Sequence, residues 1–143
     1  MDIETMLARE AIRSTLALYN SAGDRGAIDE MMACFADDAL LEVGEDRPSG
    51  SAAIRAYYQA IRDSGLIGGA DARPTRHHLT TSRIEFDGPE RANGWTYFLL
   101  VRDGRIIQNG IYVDRFRRDG DRWVFTYRRV KVEFGGMPPL AAA

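Results

Sequence analysis

His77 and His78 stand side by side in the stretch RHHLTTSRIEF (residues 76–86) and are the only histidines of the 143-residue chain. A neutral imidazole has an unperturbed pKa of about 6.5, which suits it to taking up and returning a proton at neutral pH. The run that carries the pair is rich in Thr, Ile and Phe and reads as a β-strand, so the two side chains point to opposite faces. From the residues alone two readings stay open. Both histidines are polar residues at the start of a surface strand, or one of them turns into a cavity and moves protons. The same geometry argues against a metal, since neighbours on a strand cannot share an ion as an i, i+4 pair on a helix does.

Other chemistry finds less support. Ser49, Ser51 and Cys34 have no histidine near them in sequence and lie outside a G-x-S-x-G context. GLIGGADA (residues 65–72) lacks the lysine and the strand-to-helix setting of a phosphate loop. What a proton-transfer site needs besides a base is a donor for developing negative charge, and Tyr19, Tyr57, Tyr58, Tyr97, Tyr112 and Arg129 are available in type. No metal and no cofactor are expected.

The elements that must position these residues follow from periodicity. Ile12, Leu16 and Tyr19 mark an amphipathic helix over residues 3–22, with Gly23 as its stop and Asp24 in the turn. Ile28, Met31, Met32 and Phe35 mark a short second helix, and DDALLEVG a first strand. Ser51 is a fitting N-cap for AAIRAYYQAIRDSG, whose apolar positions are Ile54, Tyr57, Tyr58 and Ile61. Residues 66–75, LIGGADARPT, read as a long loop that could gate a pocket. Four β-branched and aromatic runs follow, punctuated by Asp-Gly turns, and describe a meander of long antiparallel strands. The tail GGMPPLAAA reads as irregular. The order ααβα then ββββ is α+β, with a bent sheet wrapped around the helices.

Length and composition set the frame. One domain, residues 1–143, is expected. Hydrophobic residues at 45%, charged residues at 28% and a net charge of −2 are ordinary for a soluble globular chain and disfavour nucleic acid as a partner. No apolar run approaches the length of a membrane span, and MDIETMLARE is no signal peptide. Cys34, alone within MMACFA, reads as a buried thiol in a reducing compartment, so a cytoplasmic location is expected. WTYFLLV (residues 95–101) is apolar on both alternating faces, which points to a homo-oligomer, dimer or trimer, covering the outer face.

The order of elements, with Tyr19 and Asp24, FADDALLEV (35–43), HHLTTSRIEF (77–86) and IYVDRFRRDGDRWVF (111–125), resembles the nuclear transport factor two-like superfamily, specifically its SnoaL-like branch, over nearly the whole chain. The resemblance implies a cone-shaped α+β barrel, a strongly curved mixed sheet closed by three N-terminal helices over a deep apolar pocket. Dehydratases and dehydrohalogenases of that superfamily place an aspartate after the first helix and a histidine on the strand that follows the third. The histidine is the base and the aspartate orients it. Asp24 stands in the first place, behind Tyr19; His77, counted back from Arg83-Ile84-Glu85-Phe86, stands in the second, which leaves His78 facing out. Read locally, Asp24 is also what a turn after Gly23 holds for its own reasons.

The resemblance thus implies a cofactor-independent lyase or isomerase, of dehydratase or elimination type, acting on a small, largely apolar, cyclic molecule. His77, Asp24 and Tyr19 are its expected catalytic residues, and Tyr57, Tyr58, Trp95, Tyr97, Tyr112 and Arg129 its expected substrate-binding residues. The alternative is a non-catalytic small-ligand-binding or subunit-assembly protein, since the branch also resembles the β-subunits of ring-hydroxylating dioxygenases. Epoxide hydrolysis would need an Asp, Arg and Asp cluster around a water, which the sequence does not place. Asp114 and Arg128 read most simply as a cross-strand ion pair.

Overall fold

A computed structural model describes residues 1–65 and 74–136. The expected gating loop, apart from Pro74 and Thr75, and the tail from residue 137 lie outside the described residues.

Helix α1, Ile3–Arg25, begins where the Asp2 carboxylate accepts from the Thr5 N–H at 2.7 Å, and carries Glu4 in its first turn and Arg25 in its last. All three complement the orphan groups and dipole of a helix. Its buried stripe runs Ile12, Leu16, Tyr19, Asn20 and Ala22. The helix does not stop at Gly23, as the sequence suggests. It runs on to Arg25, and Gly26 (φ 70°) is the left-handed cap, its N–H donating to the carbonyls of Ala22 and Gly23. Gly23 matters for packing instead. A Cβ built there would lie 2.7 Å from Cε of Met31, so the missing side chain makes room for α2, Ile28–Met32. Asp24 is therefore a helical residue of α1, not a turn residue.

Strand β1 (Phe35–Val43) leads to α3 (Ser51–Asp63), in which Ser51 is the first helical residue and Gly50 the cap. The meander follows as β2 (Thr75–Phe86), β3 (Arg91–Arg102), β4 (Arg105–Asp119) and β5 (Arg122–Phe134). The sheet order is β1-β5-β4-β3-β2, with β1 parallel to β5 and every other pair antiparallel. Two strands separate β5 from β2, yet α1 packs against both, so the sheet curls around the helix into an open cone. Among the described residues its edges, β1 and β2, do not pair with each other.

Alternation along the strands sorts the side chains. Ala92, Gly94, Thr96, Phe98 and Leu100 of β3 face the concave interior, as do Gln108, Tyr112, Asp114 and Phe116 of β4. Ala92, Phe98, Tyr112 and Phe116 meet Ile12, Leu16 and Tyr19 of α1 and Ile54, Tyr58 and Ile61 of α3 in one core cluster. The convex face of β3 carries Trp95, Tyr97 and Leu99, with Tyr97 48% exposed.

Candidate active site

The last turn of α1 and the start of β2 meet at Asp24 and His77. His77 Nδ1 lies 2.7 Å from Asp24 Oδ1, and the His77 backbone N–H donates to Asp24 Oδ2 at 3.0 Å. An ionised carboxylate only accepts, so the ring proton of this contact sits on Nδ1. Nε2 is thereby left as the lone-pair nitrogen of the neutral ring. Both side chains are largely withdrawn from solvent, at 13% and 6% exposure. The imidazole packs near Phe98, ring centroids 6.1 Å apart, and His78, one residue on, points to the opposite face of the strand. Strand alternation thus separates the two histidines as expected.

His77 lines a partly open cavity of about 70 Å³ between α1, α2, α3 and the concave sheet. A single water needs only about 10–15 Å³, so the cavity has room for several. Its walls are mostly apolar, with Ile28, Met31, Val43, Ile61, Phe98 and Val130, and besides His77 its polar groups come from Tyr19, Asn20, Tyr57, Tyr58, Arg62, Gln108 and Tyr112. On its outer side the Asp24 and His77 pair borders an open groove lined by Ala17, Ser21, Arg25, Arg76 and Leu79.

Beneath the cavity the hydroxyls of Tyr19 and Tyr58 are hydrogen-bonded to each other, and Asn20 Nδ2 donates to the Tyr112 hydroxyl at 3.0 Å. Tyr19 is boxed edge-on by Phe35, Tyr58, Tyr112 and Phe125 at centroid distances of 5.7–6.0 Å. Burial pushes the Tyr19, Tyr58 and Tyr112 hydroxyls above their ordinary range, and burial does the same to Tyr57. All four are neutral O–H groups at ordinary pH; one proton of the Tyr19 and Tyr58 pair is spent between the two, and the other three hydroxyls are able to donate to a developing oxyanion.

The ring box also holds a charge. Arg128 is fully buried, with its guanidinium carbon 4.3 Å from the Tyr19 ring centroid, 3.9 Å from that of Tyr112 and 4.1 Å from that of Phe125. Nε and Nη2 make a fork of 2.7 Å bonds to the Asp114 carboxylate, directly across the β4 and β5 ladder. Burial works against the Arg128 charge, but Asp114 outweighs it and holds the guanidinium above its usual range. For Asp114 burial is the largest effect and raises it, while Arg128 opposes. The bidentate 2.7 Å geometry favours the charged pair. The cross-strand pairing expected from sequence is present, and its complete burial makes it part of the floor beneath the tyrosines.

The structure therefore gathers Asp24, His77, Tyr19, Tyr57, Tyr58 and Tyr112 at or beside one cavity. It does not bring Trp95, Tyr97 and Arg129 there. Trp95 and Tyr97 alternate with the inward Thr96 and Phe98, and Trp95 stacks on the Arg83 guanidinium at 4.6 Å on the convex face. Arg129 follows the inward Arg128 and so faces outward. Asn20 and Gln108 are cavity residues that reading by residue type does not single out. Asn20 carries a signal in the sequence nonetheless: it stands at i+4 from Leu16 and i+8 from Ile12, a polar residue on an apolar stripe. Among the described residues no group of three or more His, Cys, Asp or Glu could hold a metal ion, and no helix is long and apolar enough to cross a membrane.

Comparison with known proteins agrees with this architecture. A profile of the SnoaL-like domain matches residues 4–129. A search of curated proteins finds no match. Among solved structures the chain is similar to Rv3472 from Mycobacterium tuberculosis, a protein of unknown function, at 22% identity and TM-score 0.78 over 91% of this chain and 74% of that one. It is also similar to a protein provisionally assigned as a scytalone dehydratase from Novosphingobium aromaticivorans, at 20% identity and TM-score 0.79 over 94% and 89% of the two chains. A third is the hexachlorocyclohexane dehydrochlorinase LinA-type3 from Novosphingobium barchaimii, at 17% identity and TM-score 0.77 over 97% and 100%. At these identities the solved structures speak for the fold alone. The profile match, running from the start of α1 to Arg129 of β5, carries the assignment: the chain belongs to the SnoaL-like domain family, within the nuclear transport factor two-like superfamily.

Proposed function

We propose that the protein is a lyase or isomerase that removes a proton from carbon in a small, largely apolar, cyclic molecule held in the cavity. The observation that supports this most is the contact of His77 Nδ1 with Asp24 Oδ1 at 2.7 Å on a histidine that lines the cavity. The carboxylate fixes the tautomer and stabilises the imidazolium that forms. In an elimination, Nε2 of His77 takes the proton, the C–H electron pair becomes the new C=C bond, and the group on the adjacent carbon leaves with its own electron pair. In an isomerisation the same base makes an enolate and returns the proton to a different carbon. A neutral tyrosine hydroxyl, from among the cavity-lining Tyr19, Tyr57, Tyr58 and Tyr112, donates to the departing or enolic oxygen. Every group in this scheme is a side chain of the chain itself, and no cofactor enters.

Two of the solved structures named above carry dehydratase or dehydrochlorinase names, in keeping with elimination chemistry on this fold. The reading includes a single cytoplasmic domain, with neither nucleic acid nor membrane as partner, and a homo-oligomer that covers the convex face around Tyr97.

The test is a panel of cyclic β-hydroxy ketones and halogenated cyclohexanes, with dehydration followed by absorbance of the new conjugated alkene and halide loss by ion electrode. Turnover by the wild type that falls by about 10²–10⁴ in His77→Ala supports the proposal, since a general base contributes a factor of that order. Turnover unchanged in His77→Ala contradicts it and leaves the ligand-binding role.

A further inference from the structure

Asn20 presents a buried hydrogen-bond acceptor that nothing in the described fold engages. The residue is 6% exposed and lines the cavity. Its Nδ2 donates to the Tyr112 hydroxyl at 3.0 Å, and its Oδ1 is buried without a partner among the described residues. Buried polar atoms are paired in the great majority of cases, because a carbonyl that leaves water and gains nothing in return is costly. Turning the amide around would not relieve this. Tyr112 would then donate to Oδ1, and both N–H groups of Nδ2 would be left unpaired, against one N–H and the oxygen in the orientation seen. The amide is held in place by Tyr112 on a residue that lines the cavity, with its acceptor buried and unpaired.

We propose that Asn20 determines specificity, with Oδ1 accepting a hydrogen bond from a hydroxyl or N–H group of the bound molecule. The inference rests on the cavity being the substrate site, as proposed above, and it narrows the substrate class. The substrate is a ring compound carrying a hydroxyl or N–H donor, and a pure hydrocarbon or halocarbon leaves Oδ1 unpaired. A pocket built to bond a substrate hydroxyl discriminates strongly against an analogue without one, because the pocket's own polar group is then stranded. Within the proposed chemistry, loss of water from a hydroxylated ring suits this cavity better than loss of halide from a ring without donors.

The test is equilibrium binding of phenol and toluene, which differ by hydroxyl against methyl at nearly constant shape, followed by NMR titration of the wild type and of Asn20→Leu. The toluene-to-phenol ratio of dissociation constants should fall about tenfold or more in Asn20→Leu, through loss of phenol affinity. Asn20→Ala serves in the same comparison should Asn20→Leu not fold. A ratio unchanged by the substitution, or no phenol binding to the wild type, overturns the proposal. Titration needs no turnover, so the two claims fail separately. No dependence of phenol binding on Asn20, beside turnover that depends on His77, overturns only the role of Asn20. Phenol binding that depends on Asn20, beside turnover indifferent to His77, supports that role and overturns only the base mechanism.

Discussion

Asp24 binds His77 twice: Oδ1 accepts from the ring at 2.7 Å and Oδ2 from the backbone N–H of the same residue at 3.0 Å. The two residues are 53 positions apart, on different elements. One carboxylate thus fixes both where the start of β2 docks against α1 and which ring nitrogen carries the proton. Structure and chemistry share a single contact.

The two roles separate on substitution. Asp24→Asn retains an oxygen able to accept from one of the two donors but loses the charge that favours the imidazolium. Turnover should fall by about 10²–10⁴ while the melting temperature moves by only a few degrees. Asp24→Ala removes both acceptors and should cost stability as well, by about 1–3 kcal/mol in urea denaturation. Equal stability losses in both variants would speak for a contact that is structural only.

How far the site is legible in the sequence depends on the kind of signal. The strands are legible because Asp-Gly turns and β-branched runs are local features, and strand alternation separates His77 from His78 without any coordinates. The end of α1 is not, because Gly23 looks like a helix stop. Whether a glycine ends a helix or makes room for a neighbour depends here on Met31, a contact between elements. Trp95, Tyr97 and Arg129 have residue types that suit a binding site, while their facing is set by the register of β3 and β5. Asn20 has no chemistry by residue type alone, and only its place on the apolar stripe of α1 marks it.

The buried pair beneath the cavity should show a strong asymmetry between single and double substitution. Arg128→Met strands the Asp114 carboxylate in a fully buried site, and Asp114→Leu strands the guanidinium. Each single variant should lose about 3–5 kcal/mol in urea denaturation, and the double variant should recover most of that loss. Additive losses would mean that the two charges do not act as a pair.

Stability should decline at alkaline pH with a defined sign. Burial raises Tyr19, Tyr58 and Tyr112 above the ordinary tyrosine value, and raises Cys34 to about 11. The unfolded chain therefore gives up these protons before the folded one does. Their contribution is complete only below the unfolded values, about pH 8.5 for the thiol and about pH 10 for the phenols, and is lost as pH climbs through the folded values. The urea midpoint should fall between about pH 9 and 11, less steeply in Tyr58→Phe than in the wild type. A flat midpoint over that range would contradict the burial of these hydroxyls.

Cys34 should be chemically silent in the folded protein. It is 0% exposed, and burial holds its thiol at about 11, so little thiolate exists at about pH 8. A disulfide reagent at that pH should label the chain only after denaturant is added. Labelling of the native protein on the mixing timescale would mean that the floor of the cone opens readily.

The proposed chemistry turns on Asp24 holding the His77 ring with its proton on Nδ1, which leaves the Nε2 lone pair free to act as a base in the cavity. Long-range ¹H–¹⁵N correlation spectra of the imidazoles report that directly. In the neutral state, His77 should show a protonated Nδ1 and an unprotonated Nε2, while the outward-facing His78 shows ordinary tautomer averaging, and Asp24→Ala should return His77 to the pattern of His78. A neutral His77 with its proton on Nε2, or one indifferent to the loss of Asp24, would contradict this mechanism.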